Sequence, residues 1–237
     1  MRSFLTILFL AGLISTTAAQ KTINDPNVEA RTISGFHSIE VMSGIDLYLS
    51  EGKEAAAVSA KDEATRNRIV TEVKDGVLKI YFNWKDGVRF SLNNKAMRVY
   101  VSYKKLESLS ASAGSDIMID GSLNANALKL NISGGSDFTG RVQIRDLTIQ
   151  LAGGSDIDIT GSVNNLNIDA SGGSDVNGFQ LVSEVCDAKA SGGSDITITV
   201  NNELYAEASG GSDINWKGGA TVKKSKASGA GSVSHRS

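Results

Sequence analysis

The feature that most constrains this chain is the triplet Gly-Ser-Asp, which recurs six times at a nearly constant spacing. The copies begin at Gly114, Gly135, Gly154, Gly173, Gly193 and Gly211. Successive copies are therefore 21, 19, 19, 20 and 18 residues apart, and a degraded seventh copy without the aspartate follows at 228–232. A period of about 20 residues predicts a solenoid or another array of repeated units.

The residues between the corners alternate between apolar and polar. Leu128, Leu130 and Ile132 precede the second corner, and Ile157 and Ile159 follow the third. This period of two predicts strands with one buried face. Since a 20-residue unit cannot bury that face alone, we expect residues 108–216 to form a right-handed parallel β-solenoid of six or seven coils. A propeller, with units of about 40 residues, fits less well.

The first half of the mature chain, residues 33–107, is also rich in strand patterns. Ile45–Leu49 alternates, Val77–Phe82 is mostly apolar, and the intervening Lys74-Asp75-Gly76-Val77 is a hairpin signal. The only plausible helical stretch lies within Ala55–Arg68. We therefore predict an all-β chain in which this β-rich region is continuous with the solenoid.

The first twenty residues have the pattern of an export signal. Arg2 is followed by an apolar stretch and then by the small residues Thr17-Ala18-Ala19. We predict a signal peptide at 1–19, a mature start at Gln20 and a linker at 20–32. No later stretch has the ~20 apolar residues of a membrane helix. The expected location is the periplasm, the outer-membrane surface or the extracellular space.

Charge and composition exclude several classes of function. The net charge of −2 argues against nucleic acid as a partner. One cysteine, Cys186, and two histidines leave little material for a disulfide scaffold or a metal centre. Residues 108–216 carry −10 (4 basic, 14 acidic), whereas 217–237 carry +5. We expect 217–237 to be a basic cap that prevents end-to-end stacking; contact with an anionic envelope surface is the alternative.

The aspartates of the corners should stack on one edge about 5 Å apart. We call them the aspartate column: Asp116, Asp137, Asp156, Asp175, Asp195 and Asp213. Such spacing is typical of a retaining glycosidase, but a sixfold repeat makes the carboxylates alike, whereas catalysis needs them to differ. We expect the corner glycines and aspartates to be architectural, with backbone N–H groups offsetting the repulsion. Calcium bound along the column is the alternative.

The corners and the first half together resemble a known family. Phe36-x-x-Ile39, Gly44-Ile45-Asp46-Leu47, the Asp75-Gly76 hairpin and the Ser-Gly-Gly-Ser-Asp corners are similar to the DUF2807 family, the GIN domain of autotransporter adhesin heads. The family is common in exported proteins of Bacteroidetes, and the resemblance covers roughly residues 33–215. It implies a β-solenoid-like fold and an adhesin-like role, and it supplies no catalytic residues.

These observations predict an exported, non-catalytic binding or adhesin-like module with no cofactor. Its ligand would be a glycan or another envelope component. Two alternatives remain, a structural envelope protein and an enzyme that acts on polysaccharide. An enzyme would need a cleft at a local break in the repeat, and we expect no such break between Asp116 and Trp216.

Overall fold

The computed structural model describes residue 25, residues 27–84 and residues 96–237. The predicted signal peptide and the start of the predicted linker lie outside these residues. The described chain is nearly all β, with 68% of residues in strands and 2% in helix. Within the described part, no helix is long and apolar enough to span a bilayer.

Five long strands form the body of the molecule, and each pairs in parallel with the next. They are β9 (Ile117–Ser133), β10 (Phe138–Ala152), β11 (Asp156–Ser171), β12 (Asp175–Ser191) and β13 (Asp195–Ala208). Each strand is one coil of a β-solenoid of about 7 turns, with turns about 19 residues apart. The predicted parallel β-solenoid is therefore confirmed.

The N-terminal strands extend the same sheet, as predicted. They are β1 (Val28–Arg31), β2 (Ser38–Val41), β3 (Asp46–Glu51), β4 (Ala55–Ser59), β5 (Ile69–Lys74), β6 (Val77–Phe82), β7 (Arg98–Tyr103) and β8 (Ser108–Ala111). Both β3 and β8 pair in parallel with β9. From there one side continues through β7, β4 and β1, and the other through β2, β6 and β5. The outermost pairings are antiparallel.

The stretch 55–68 holds less helix than its sequence indicated. Ala55–Ser59 is strand β4, held between β1 and β7, so pairing on both sides overrides the helix propensity of its alanines. Only Glu63–Arg66 is helical (α1), and the Asp62 carboxylate caps it by accepting the Thr65 N–H at 2.7 Å. The predicted hairpin joins β5 to β6, with φ of 52° at Asp75 and 76° at Gly76.

The inward side chains of the strands stack into apolar columns that run along the axis. One column shrinks toward the C-terminus through residues that the register places side by side: Ile132, Leu151, Ala170, Ala190 and Ala208. All five are buried. The core side chains of this column therefore become smaller toward the C-terminal end.

The last coil consists of β14 (Asp213–Lys217), β15 (Thr221–Ala227) and β16 (Ser232–His235). β15 pairs in parallel with β13 and β16 with β14, so the basic C-terminal segment is a terminal rung of the solenoid. β15 carries Lys223, Lys224 and Lys226, of which the first two form salt bridges with Glu203 and Glu207. Lysines on an edge strand discourage strand addition.

The repeat is interrupted by two bulges and by one smaller irregularity, where Glu184 of β12 lies opposite residues 201–202 of β13. This corrects our expectation of an unbroken array between Asp116 and Trp216. In β9, three residues (119–121) lie opposite Gly140 of β10. In β12, Gly178 pairs with Ile198 and Val182 with Thr199, so residues 179–181 have no counterpart in β13. In the sequence, the two bulges correspond to the longer distances between successive corners, 21 and 20 residues, each of which is followed by a shorter one.

Candidate functional site

The predicted corner residues all lie on one edge of the solenoid, where each coil passes into the next. The second glycine of the corner has a positive φ in the first four copies, for example 70° at Gly135, but not at Gly193 or Gly211. In the last copies the left-handed residue is the preceding glycine, as at Gly210 (φ 77°). The glycines allow the chain to reverse in a conformation that other residues rarely adopt.

The serine of each corner points into the protein and forms what we call the serine ladder. All of its members are fully buried: Ser115, Ser136, Ser155, Ser174, Ser194 and Ser212. The Oγ of Ser136 accepts the N–H of Ser115 at 2.9 Å, and the Oγ of Ser155 accepts the N–H of Ser136 at 3.2 Å. These bonds continue to Ser194. The serines from Ser136 to Ser194 therefore each satisfy a buried N–H of the preceding coil, whereas Ser212 Oγ accepts the N–H of Ser209 in its own coil.

The corner aspartates point outward, and all but Asp156 bond in the opposite direction along the axis. Next to Asp156, the N–H of Asp175 donates to the Ser155 carbonyl at 3.2 Å instead. Asp116 Oδ1 accepts the backbone N–H of Asp137 at 3.2 Å, and Asp137 Oδ1 accepts that of Asp156 at 3.1 Å. Asp175 and Asp195 accept from the next coil in the same way. At the last coil, Asp213 Oδ1 accepts the hydroxyl of Ser232 at 2.7 Å.

The column also reaches further toward the N-terminus than its motif indicates. Asp46 at the start of β3 is its first member, since the neighbouring Leu47 pairs with Ile117. Burial, reinforced by the negative charge of Asp116, raises the pKa of Asp46, whereas Arg98 acts in the opposite direction. Burial also raises the pKa of Asp116; the hydrogen bond from the Asp137 N–H acts against this, and the negative charge of Asp137 adds to it. The repulsion that we expected along the column is therefore present at this end.

The aspartate column holds no metal-type cluster. Across residues 27–84 and 96–237, no three side chains of His, Cys, Asp or Glu are grouped so that they could hold a metal ion. The Oδ1 atoms instead accept backbone N–H groups, which stabilises their charge without an ion. Calcium along the column has no support in this geometry.

A groove of about 650 Å³ lies beside the corners at the C-terminal end. Its wall is a column of outward side chains that the register aligns: Asp169, Lys189, Glu207 and Lys226. Ser191 and Ser209 lie along its other side. A hydrogen bond from the Lys224 ammonium lowers the pKa of Glu207. Glu207 is thus held as a carboxylate and is unsuited to act as a general acid.

The bulge of β12 presents apolar side chains that the sequence analysis did not single out. Phe179 and Val182 are 37% and 38% exposed, and they are two of the four large exposed hydrophobic residues in the described chain. The ammonium of Lys217 lies 4.8 Å from the centroid of the Phe179 ring. The sequence indicates this bulge only through the distance between successive corners, which changes from 20 residues across this coil to 18 across the next.

Comparisons with known proteins agree with this architecture. The family model of DUF2807, "Putative auto-transporter adhesin, head GIN domain", matches residues 35–220. No curated protein sequence matches the chain significantly.

Several solved structures have the same fold. A "putative adhesin" from Bacteroides fragilis superposes with a TM-score of 0.80 at 19% identity, over 88% of this chain and 96% of that one. A "putative adhesin" from Parabacteroides merdae gives 0.69 at 17%, over 89% and 95%. A "putative lipid binding protein" from Parabacteroides distasonis gives 0.64 at 22%, over 90% and 98%. At these identities the likeness shows the fold alone.

Proposed function

The chain belongs to the DUF2807 family of adhesin-head GIN domains, and from that premise we propose that it is an exported, non-catalytic module that binds a glycan of a cell envelope. The observation that carries this proposal is the outer surface of the solenoid, where polar side chains repeat from coil to coil. Solved structures that share the fold include proteins named as adhesins, which supports the adhesin-like role.

The register gives this surface a repeat that suits a polymer. Gln150, Asp169, Lys189, Glu207 and Lys226 occupy one outward position on consecutive coils. Neighbouring parallel strands are about 4.8 Å apart, so hydrogen-bond donors and acceptors recur at that distance along the axis. A glycan also offers hydroxyl groups at regular intervals along an extended chain. A polymer aligned with the axis would meet a side chain capable of hydrogen bonding at each of these coils.

The placement of the carboxylates supports binding without turnover. Glycoside hydrolysis needs a general acid with a raised pKa opposite a second carboxylate. In the groove, Lys189 lies between Asp169 and Glu207, and the pKa of Glu207 is lowered. The carboxylates with raised pKa values, Asp46 and Asp116, belong to the aspartate column, where Asp116 is occupied by the N–H of Asp137.

A glycan array combined with a reducing-sugar assay tests this function. The full mature chain is applied to the array, and every glycan that binds is then incubated with the protein at high concentration. We expect binding without release of reducing ends. Release of reducing ends would show an enzyme, and the absence of any bound glycan would favour a structural role in the envelope.

A further inference from the structure

The bulge of β12 is the place where the solenoid departs furthest from its repeat. Residues 179–181 form an insertion relative to β13, and the insertion presents Phe179 and Val182 to solvent. Elsewhere in the long strands, outward positions are dominated by polar side chains. An exposed aromatic ring at a bulge is a feature that a repeating scaffold does not require.

Side-chain hydrogen bonds hold the bulge in one conformation. Thr199 Oγ1 donates to the carbonyl of Phe179 at 2.8 Å, and Thr197 Oγ1 accepts the N–H of Gly178 at 3.1 Å. On the other side, the buried Ser183 donates to the carbonyl of Thr199 at 3.1 Å. The exposed ring is therefore presented from a fixed backbone, which reduces the entropy that a ligand must overcome on binding.

A cation accompanies the ring. Val182, Thr199 and Lys217 occupy one outward position on three consecutive coils, and the Lys217 ammonium reaches back to 4.8 Å from the Phe179 centroid. Within the described chain, no carboxylate lies within salt-bridge distance of this ammonium, although the shaft that surrounds it carries −10. The patch thus combines an apolar face with a positive charge on an acidic shaft.

We propose that this patch, Phe179, Val182 and Lys217, is the anchor of the glycan-binding surface and that it selects a sugar carrying a carboxylate. A pyranose ring has one apolar face that can lie on the exposed phenyl and Val182. Its carboxylate can pair with the Lys217 ammonium in a charge-assisted hydrogen bond. The exposed side chains next along the strand, Asn177 and Gln180, are uncharged donors and acceptors for hydroxyl groups.

The size of the patch distinguishes this ligand from the alternatives. A stable protein interface buries about 800 Å² on each partner, far more than one exposed ring and one valine offer. An amphipathic surface that binds a membrane needs a broad apolar face, and two side chains do not provide one. A single acidic sugar residue matches the patch in both extent and charge.

This inference rests on the proposed function, and the test separates the two. Binding of hexuronic and sialic acid oligosaccharides is measured by calorimetry, together with their methyl esters, which keep the sugar ring and remove the charge. Phe179→Ala and Lys217→Gln should each weaken binding of the acids at least tenfold. Lys217→Gln should also abolish the preference for acid over ester.

Two variants serve as matched controls. Trp84→Ala removes an exposed ring (49% exposed) of the N-terminal half, and Lys104→Gln removes an exposed lysine of the same half. Both should bind like the natural chain. If the acids bind and neither patch variant weakens them, this inference is wrong while the glycan-binding function stands. If no glycan of any charge binds, both are wrong. Circular dichroism of each variant confirms that it is folded.

Discussion

Removing one oxygen of the serine ladder should destabilise the whole solenoid. Ser155 is fully buried, and its Oγ accepts the N–H of Ser136 at 3.2 Å. In Ser155→Ala this N–H has no acceptor and cannot reach water. Leaving a buried donor unsatisfied costs about 1–3 kcal/mol. For a chain of this size each kcal/mol corresponds to a shift of about 2–4 °C in Tm, so we expect Tm to fall by about 2–12 °C.

The measurement is thermal unfolding followed by far-ultraviolet circular dichroism, with Ser133→Ala as the control. Ser133 belongs to a corner of the same kind but is only half-buried, so its loss should change stability by less than about 0.5 kcal/mol. Equal Tm values for the two variants would refute the reasoning, because a structural role for the corner serine depends on the buried N–H.

Four further predictions address the other elements. Gly161→Ala should lower the free energy of unfolding, measured in urea, by more than about 3 kcal/mol. The added Cβ would lie 1.9 Å from the Val142 carbonyl oxygen, and the backbone φ there is +119°. Gly193→Ala is the control and should be neutral, because nothing lies within 4 Å of the added Cβ. Because the pKa of Asp46 is raised in the folded state above its ordinary 3.8, stability falls as pH rises from that value through the folded-state pKa; Asp46→Asn should therefore raise Tm at pH 7 and lose that advantage when the pH falls below 3.8. Tm should be the same with calcium and with a chelator, and a higher Tm with calcium would restore the metal alternative. Replacing the three lysines of β15 by threonine should cause end-to-end association in sedimentation velocity; a monomeric variant would argue against their role as a cap.

The period of the sequence predicted most of the fold because parallel coils leave little freedom. Once Gly-Ser-Asp recurs every 18 to 21 residues, stacking fixes which residues are neighbours, and the alternation of apolar residues fixes which side is buried. Leu130 beside Ile149 and Ile149 beside Ile168 follow from this alone. The same reasoning placed the Asp75-Gly76 hairpin, since two successive residues with positive φ suit such a turn.

Strand pairings between segments that are far apart in the sequence could not be predicted in this way. Ala55–Ser59 becomes a strand because β1 and β7 offer edges on both sides, and no local pattern reveals those edges. The bulges were equally hidden, since a difference of two residues in spacing does not say where the extra residues lie. In β12 the net difference of two combines three added residues at 179–181 with one fewer further along the strand.

The corner motif itself is explained by backbone hydrogen bonding. At each corner the chain turns, and N–H groups that a straight strand would pair need other acceptors. Ser136 Oγ accepts from the preceding coil while Asp137 Oδ1 accepts from the following one, so adjacent residues serve both neighbours of their coil. Ile45 agrees with this explanation, because it lies where the serine ladder begins. Its backbone N–H donates to Ser115 Oγ, but no serine oxygen is needed at its own position.

This explanation changes where function should be sought in such a chain. A residue that recurs at every coil, as the corner aspartates do, satisfies a need that every coil has, and its repetition is sufficiently explained by that need. A residue that occurs once, at a place where the register of the repeat is interrupted, needs a separate explanation. Phe179 is exposed, lies on an insertion and is held there by Thr199. In a solenoid of this kind, the residues that interrupt the period are therefore better candidates for ligand recognition than those that define it.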